Sequence, residues 1–492
     1  RDFQSMDKFC LNIFIFLFCF FQTSISYSEI ELPDLGNPSD IYMSKMDEPA
    51  VGRAYYREML KKDQVVEDAL LQEYIQHLGE KLSSKVQEGD YKFNYFLVPQ
   101  STINAFALPG GFVGIHLGLI LNADTESQLA SVLAHEISHV TQRHISRQIG
   151  NSVPNSIQGG LVLLGAILLS AISGSSEILE AGSLLAPSII QQGQIDFTRE
   201  MEIEADATGI KTLALSGYNP YAMADFFNKL SSGDDPRNAA SIEFLRTHPT
   251  SVNRAASARK QARKLTVKNI DDSLVFELSK ARIRYLFNNT LEKANQYFKL
   301  NTAGIDVTQE NLSYKQVGNL YGLALTYIDL GQFNQAENIL LPLIFTYEEY
   351  NHFHIAYAYL LTQQGLYKDA INYLKSIMAL SPRNIPITLD YSLNELNYGD
   401  AQTAHKTLLD LFNNVVPSPS QIKLIAKAAN SAEDYADSFS YMAEYYLSIG
   451  GFKEAIEQLQ LALSIDSIND IQKSKFIARL QEIEDFIAEN ED

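Results

Sequence analysis

The chain has no tryptophan and only two cysteines, and both of these, Cys10 and Cys19, fall within its first 28 residues. The rest of the chain has no disulfides to hold it, and any metal site in it must be built without thiolates. Long apolar runs are scarce as well. Phe9 to Phe21 is thirteen residues, a helix of only about 20 Å against a hydrocarbon core of roughly 30 Å. Ile157 to Ile172 and Ile178 to Ile190 both fall short of the ~18 residues of a spanning helix, and glycine and serine occur in or between them. A membrane-embedded chain is disfavoured. Basic residues are outnumbered, 39 Lys and Arg against 59 Asp and Glu, for a net charge of −20. That balance argues against nucleic acid or anionic lipid as the main partner.

The apolar run at the start has Lys8 before it and small or polar residues, Thr23 to Ser28, after it. A charged region, a short apolar core and a small-residue zone predict a secretory signal peptide over residues 1–28. Cys19 does not suit lipid attachment, because the bulky Phe18 precedes it. The predicted signal holds two acids and two bases, so its removal leaves the charge at −20. At 492 residues two or three domains are expected. Residues 29–50 read as an extended lead-in. Helical periodicity over 51–86 gives way to strand-like Phe93–Val98 and Ile103–Leu108, a Pro109-Gly110-Gly111 turn and Phe112–Ile115, and returns over 127–147. A mixed domain is therefore expected over 51–265, with residues 151–195 either a buried helix pair or an apolar lid. The fold class is α+β, mainly helical with a small sheet, followed by an all-α array.

That array rests on an internal repeat over residues 266–492. Gly331, Gly365 and Gly399 stand 34 residues apart, and so do Ala336, Ala370 and Ala404. The step from Ala404 to Ala455 is 51 residues, one and a half periods, which predicts an extra helix between them. A 34-residue period with small residues where helices meet resembles the tetratricopeptide repeat, whose arrays commonly bind peptide segments.

The chemistry gathers around His135-Glu136-Ile137-Ser138-His139. Residues four apart share a helix face, so both imidazoles can reach one ion while Glu136 stays close by without coordinating it. Leu129, Val132, Leu133 and Ile137 supply a buried stripe for that helix. A catalytic zinc needs a third protein ligand and an open position. His144 is nearest, but Gln142 and Ile145 stand where a metzincin pattern needs glycine and histidine. The stronger candidate is Glu202, with Asp206 one turn on and placed to back a zinc-bound histidine; Glu200 and Glu204 read as a solvated face. Glu136 is then the general base.

The stretch Ala130 to His144, with the later Glu202-x-x-x-Asp206, resembles the gluzincin peptidases related to HtpX and the CAAX prenyl proteases. The leader, Leu32-Pro33-Asp34-Leu35-Gly36 and the repeats resemble the periplasmic BepA-like proteases. The resemblance implies a zincin-type domain with one Zn²⁺ per chain, in an endopeptidase of the periplasm. It implies misfolded or stalled proteins as substrates and a role in outer-membrane protein assembly, with the repeats near the barrel insertion machinery. It also implies a substrate edge strand at Asn104, Ala105 and Phe106, and a His-Pro, His248-Pro249, with Arg254 downstream, near the metal. Arg254 is then a candidate oxyanion stabiliser, and His248 either faces the substrate or fills the open zinc position as a latch. The rival reading is a chaperone-like repeat scaffold with a latent or structural zinc. The presence of Glu136 separates the two, since a structural site needs no general base.

Overall fold

The computed structural model describes residues 43–86, 91–152, 198–231, 244, 248, 252–266, 273–413 and 415–491. The expected signal peptide, most of the lead-in and the lid segment from 153 on lie outside the described residues. The helices begin earlier than the lead-in reading has it. Helix α1 (Glu48–Lys61) is followed by α2 (Ala69–Ser83), which Asp68 caps by accepting from the Leu71 N–H.

Three strands follow, β1 (Asn94–Val98), β2 (Ala105–Leu108) and β3 (Phe112–His116), in the order β1-β3-β2. β1 runs parallel to β3 with Asn94 opposite Phe112, and β2 runs antiparallel to it with Ala105 opposite Ile115. The two outer edges differ. That of β1 is occupied: Gln72 Nε2 donates to Tyr95 O at 2.7 Å and Val66 N to Leu97 O at 2.8 Å. In β2 the Asn104 carbonyl accepts from His116 N. By strand alternation Ala105 and Ala107 therefore turn their N–H and C=O groups outward.

Beyond α3 (Leu117–Asn122) comes α4 (Glu126–Thr141), capped by Thr125. Its single stripe was an underestimate: every residue from Glu126 to Val140 is buried. The predicted continuation to 147 is interrupted, because Arg143 takes a left-handed φ of 54° before α5 (His144–Ser152) begins. Helix α6 (Arg199–Leu215) crosses α4 closely; a Cβ on Gly209 would stand 3.2 Å from the backbone of Ala134 and His135. Helices α7 (Ala222–Ser231) and α8 (Val252–Ala262) close the site's far side.

Helix α9 (Leu274–Leu286) faces both ways. Phe276 and Ile283 join the core around α4, while Leu274, Leu278 and Ala281 join the core of the repeats. The repeat helices run as α10 (Leu291–Thr302), α11 (Tyr314–Asp329), α12 (Phe333–Thr346), α13 (Asn351–Gln363), α14 (Tyr367–Leu380), α15 (Ile385–Tyr398) and α16 (Ala401–Phe412). Then come α17 (Pro419–Ser431), α18 (Tyr435–Ser448), α19 (Phe452–Leu463) and α20 (Asp470–Glu491). Gly331 and Gly365 occupy left-handed turns between paired helices, at φ 69° and 78°. Gly399 does not share this conformation, with φ −122°. Ala336, Ala370, Ala404 and Ala455 are all fully buried. Two helices, α17 and α18, lie between α16 and α19 where a regular repeat has one, which accounts for the longer step.

The repeats also grip the mixed domain. Arg282 of α9 binds both oxygens of Asp68 at 2.7–2.9 Å, Leu70 packs with Ile355 and Ile387, and Asn384 Nδ2 donates to Glu73 at 3.2 Å. Among the described residues no helix is long and apolar enough to cross a membrane.

Candidate metal centre

Four buried side chains converge between α4 and α6: His135, His139, Glu202 and His248 each offer one donor atom, all within 4.8 Å of one another. His135 Nε2 lies 2.9 Å from His139 Nε2 and 3.5 Å from Glu202 Oε2, and His139 Nε2 is 3.3 Å from Glu202 Oε1. His248 Nδ1 adds distances of 3.2 Å to His135 Nε2 and 3.0 Å to Glu202 Oε1. Helical spacing explains the first pair, and the glycine crossing brings Glu202 opposite them. Thr198 caps α6, accepting from Met201 N, and so sets Glu202 in the first turn.

The donor set fits a divalent cation. Among His135, His139 and Glu202 the separations of 2.9–3.5 Å bracket the edge of about 3.3 Å expected for a tetrahedron with bonds of about 2.0–2.1 Å. Charge agrees: the buried carboxylates Glu136, Glu202 and Asp206 outnumber the one buried guanidinium, Arg254, an excess of acidic groups that favours a cation. Two imidazole nitrogens aimed at each other are likewise satisfied by a shared cation.

Surrounding groups tune the cluster. Burial raises the Glu136 carboxyl, against the pull of His248 and His135, and the Ala107 N–H donates to it. Burial disfavours charge on Glu202 too, yet His248 and His135 hold its carboxyl well below the ordinary range. Burial drives His139 well below the usual imidazole value. It opposes charge on His248 as well, but Glu202 and Glu136 outweigh it and push that imidazole up. Asp206 Oδ1 sits 3.0 Å from His135 Nδ1, without the alignment of a directed hydrogen bond.

Arg254 is placed close by, as expected, but differently used. Its Nη1 meets Glu202 Oε2 at 2.6 Å, while Nε and Nη2 hold the two oxygens of Asp206 at 2.8 Å, and the group stacks over Phe227. It is committed to carboxylates rather than turned toward a peptide oxyanion. His248 lies against Glu136, its Nε2 3.4 Å from Oε1. The β2 edge also approaches Glu136, through Ala107. Of the expected edge residues, Phe106 is inserted in a core with Phe96 and Phe112, and Asn104 is buried with both side-chain polar atoms unpartnered. Two residues passed over in the sequence belong to the site's surroundings. His144 Nδ1 lies 3.0 Å from His139 Nδ1, and Glu204, not merely solvated, stands 3.4 Å from His144 Nε2.

A buried HExxH helix crossed by a glutamate-bearing helix, with a sheet edge beside its glutamate, defines a metallopeptidase. Comparison with known proteins agrees. The sequence profile of Peptidase family M48 matches residues 69–262. The chain is 31% identical over 454 residues to the beta-barrel assembly-enhancing protease of Escherichia coli, covering 92% of this chain and 91% of that one. A putative beta-barrel assembly-enhancing protease of Vibrio cholerae is 33% identical over 329 residues, 66% of each chain. The mitochondrial metalloendopeptidase OMA1 of Arabidopsis thaliana is 26% identical over 236 residues, 47% of this chain and 45% of its own. This chain belongs to the beta-barrel assembly-enhancing proteases of peptidase family M48.

Proposed function

We propose that the chain is a zinc-dependent endopeptidase of the bacterial periplasm, degrading misfolded or stalled proteins during assembly of outer-membrane β-barrels. The observation that carries this reading is the position of Glu136, between the donor cluster and the outward edge of β2. His135, His139 and Glu202 hold one ion per chain, and imidazole with carboxylate donors suits zinc. Bound zinc supplies an acidified water and polarises the peptide carbonyl. Glu136 accepts the proton from the attacking water and returns it to the leaving amine. Its raised carboxyl pKa suits both tasks. Ala105, through its outward N–H and C=O, and Ala107, through its C=O, pair with an extended substrate. Phe106 anchors that strand in the core, and Asn104 addresses the substrate backbone at its start. Asp206 backs His135, and Arg254 holds Asp206 and Glu202 together.

The relatives' printed names support the role in barrel assembly, and the signal-like pattern of residues 1–28 supports export. The repeats are assigned to recruiting clients or the assembly machinery. A second reading follows from His248, whose Nδ1 stands among the donors where a water or substrate oxygen has to enter. In that arrangement the enzyme is latent, and displacement of His248 switches it on. The test uses the zinc-loaded protein and its His248→Ala variant, each given one β-barrel protein unfolded and the same protein folded in detergent. Cleavage of the unfolded form alone, several-fold faster in the variant, is expected. Cleavage of neither form by either protein would contradict the proposal, and equal rates would remove the latch.

A further inference from the structure

The two imidazoles of α4 are backed in different ways. His139 aims Nε2 at the donor cluster, 2.9 Å from His135 Nε2 and 3.3 Å from Glu202 Oε1, so its Nδ1 faces away. That Nδ1 makes a directed contact of 3.0 Å with Nδ1 of His144, whose side chain is fully buried. His135 has only the misaligned approach of Asp206 at its Nδ1.

We propose that His144 is a positioning residue for the metal centre, accepting the hydrogen bond from His139 Nδ1–H and so fixing the tautomer that presents the Nε2 lone pair to the ion. The inference rests on the zinc-centre reading above. The protons can be followed along the whole chain of contacts. A neutral His139 that offers its Nε2 lone pair carries its proton on Nδ1, and that N–H requires an acceptor. His144, accepting at Nδ1, carries its own proton on Nε2. This nitrogen points to Glu204 Oε2 at 3.4 Å, and the same oxygen accepts from Arg147 Nη1 at 3.1 Å. Every donor in the relay meets an acceptor, and its outer end reaches the solvent-facing side of α6.

The contact exists only because the helix is broken. On a continuous helix a residue five positions on is rotated by about 140° from its predecessor and cannot reach back to it. Arg143, at φ 54°, turns the chain, and buried groups of the N-terminal region hold it in that conformation. Its Nε donates to Glu48 Oε1 at 2.7 Å and its Nη2 to the Met43 carbonyl at 2.8 Å. Ser146 Oγ donates to the same Glu48 oxygen at 2.6 Å. A left-handed backbone is unfavourable for a non-glycine residue, and three hydrogen bonds to buried or main-chain oxygens offset it. The consequence of that turn is the placement of His144 beneath His139.

The test compares zinc affinity, by chelator competition, in the full-length parent, His144→Asn and His144→Phe. Asparagine puts an acceptor oxygen near the former Nδ1; phenylalanine keeps the ring volume without an acceptor. The melting temperature of each chelated protein reports any purely structural damage. The expected result is a ~10–100-fold loss of zinc affinity in His144→Phe, recovered to within about 3-fold in His144→Asn, with similar metal-free melting temperatures. A His144→Phe protein that binds zinc like the parent overturns the inference. So does an equal loss in both variants accompanied by equal metal-free destabilisation. A parent that takes up no zinc overturns the metal centre and this inference with it, whereas a zinc-loaded parent with an unaffected phenylalanine variant overturns this inference alone.

Discussion

Helix α4 is buried on all sides and carries two histidines and two glutamates inside it, whereas α12 buries only Ala336, Leu340 and Leu343, and α14 only Ala370 and Leu374. Helices α12 and α14 follow the ordinary rule of one apolar stripe with a small residue at the crossing, and even α11, buried at every position but one from Val317 to Ile328, carries no charged side chain there. The catalytic region instead gathers the carboxylates of Glu136, Glu202 and Asp206, the imidazoles of His135, His139, His144 and His248 and the Arg254 guanidinium in its interior, in an arrangement that satisfies them only jointly. Repeats of this kind tolerate local change, because most of each helix pair's packing is with its neighbours. A charge cluster does not, since removing one member strands the others.

The comparison can be broken most severely at Arg254. Arg254→Met leaves Glu202 and Asp206 without their shared cation, and the metal-free protein is expected to lose about 3–5 kcal/mol in denaturant unfolding. A smaller loss than in the repeat variant below would mean the cluster is not the more fragile region. In the repeats, Ala370→Leu inserts three carbons at a fully buried crossing and should cost about 1–3 kcal/mol. Its zinc content and its cleavage rate per bound zinc should match the parent, and a loss of either would show that the repeats and the site are coupled more tightly than the contacts suggest.

The smallest effect concerns Asp390, where the repeats meet the Asp68–Arg282 pair. Asp390 of α15 has its carboxyl raised to about 6 by burial, with Arg282 opposing and Asp68 adding to the rise. Its folded form holds a proton that the unfolded chain releases between about pH 4 and 6, so this group makes the protein less stable as pH climbs through that window. Asp390→Asn should therefore stabilise the protein by about 1–2 kcal/mol at pH 7.5 and make no difference near pH 4. Equal stability of the two proteins at both pH values would place Asp390 in ordinary solvent.

Legibility in the sequence followed the range of the interactions. His135, Glu136 and His139 are read from one helical turn, and Glu202 with Asp206 from another. The alanine and glycine steps announce the repeats, and the irregular interval before Ala455 even shows the added helix. What stayed hidden depends on distant segments meeting. The break at Arg143 is stabilised by Glu48 and Met43, nearly a hundred residues earlier, so no local signal marks it. His144 was weighed only as a ligand, because without the break it cannot back His139. Arg254 was expected near the metal, but its carboxylate partners, 48 and 52 residues back on α6, appear only once α6 and α8 are packed together. The two-faced α9 and the Asp68–Arg282 bridge likewise need the folded chain to be seen.

The central claim is that Glu136 is the base of a working zinc peptidase, and it is tested most directly by measuring zinc content and casein cleavage together for the parent and Glu136→Gln. The variant keeps its size and all three proposed ligands. Equal zinc, near one per chain, with cleavage in the parent and none in the variant is the predicted result. Undiminished cleavage by Glu136→Gln, or a parent that holds no zinc, would contradict it.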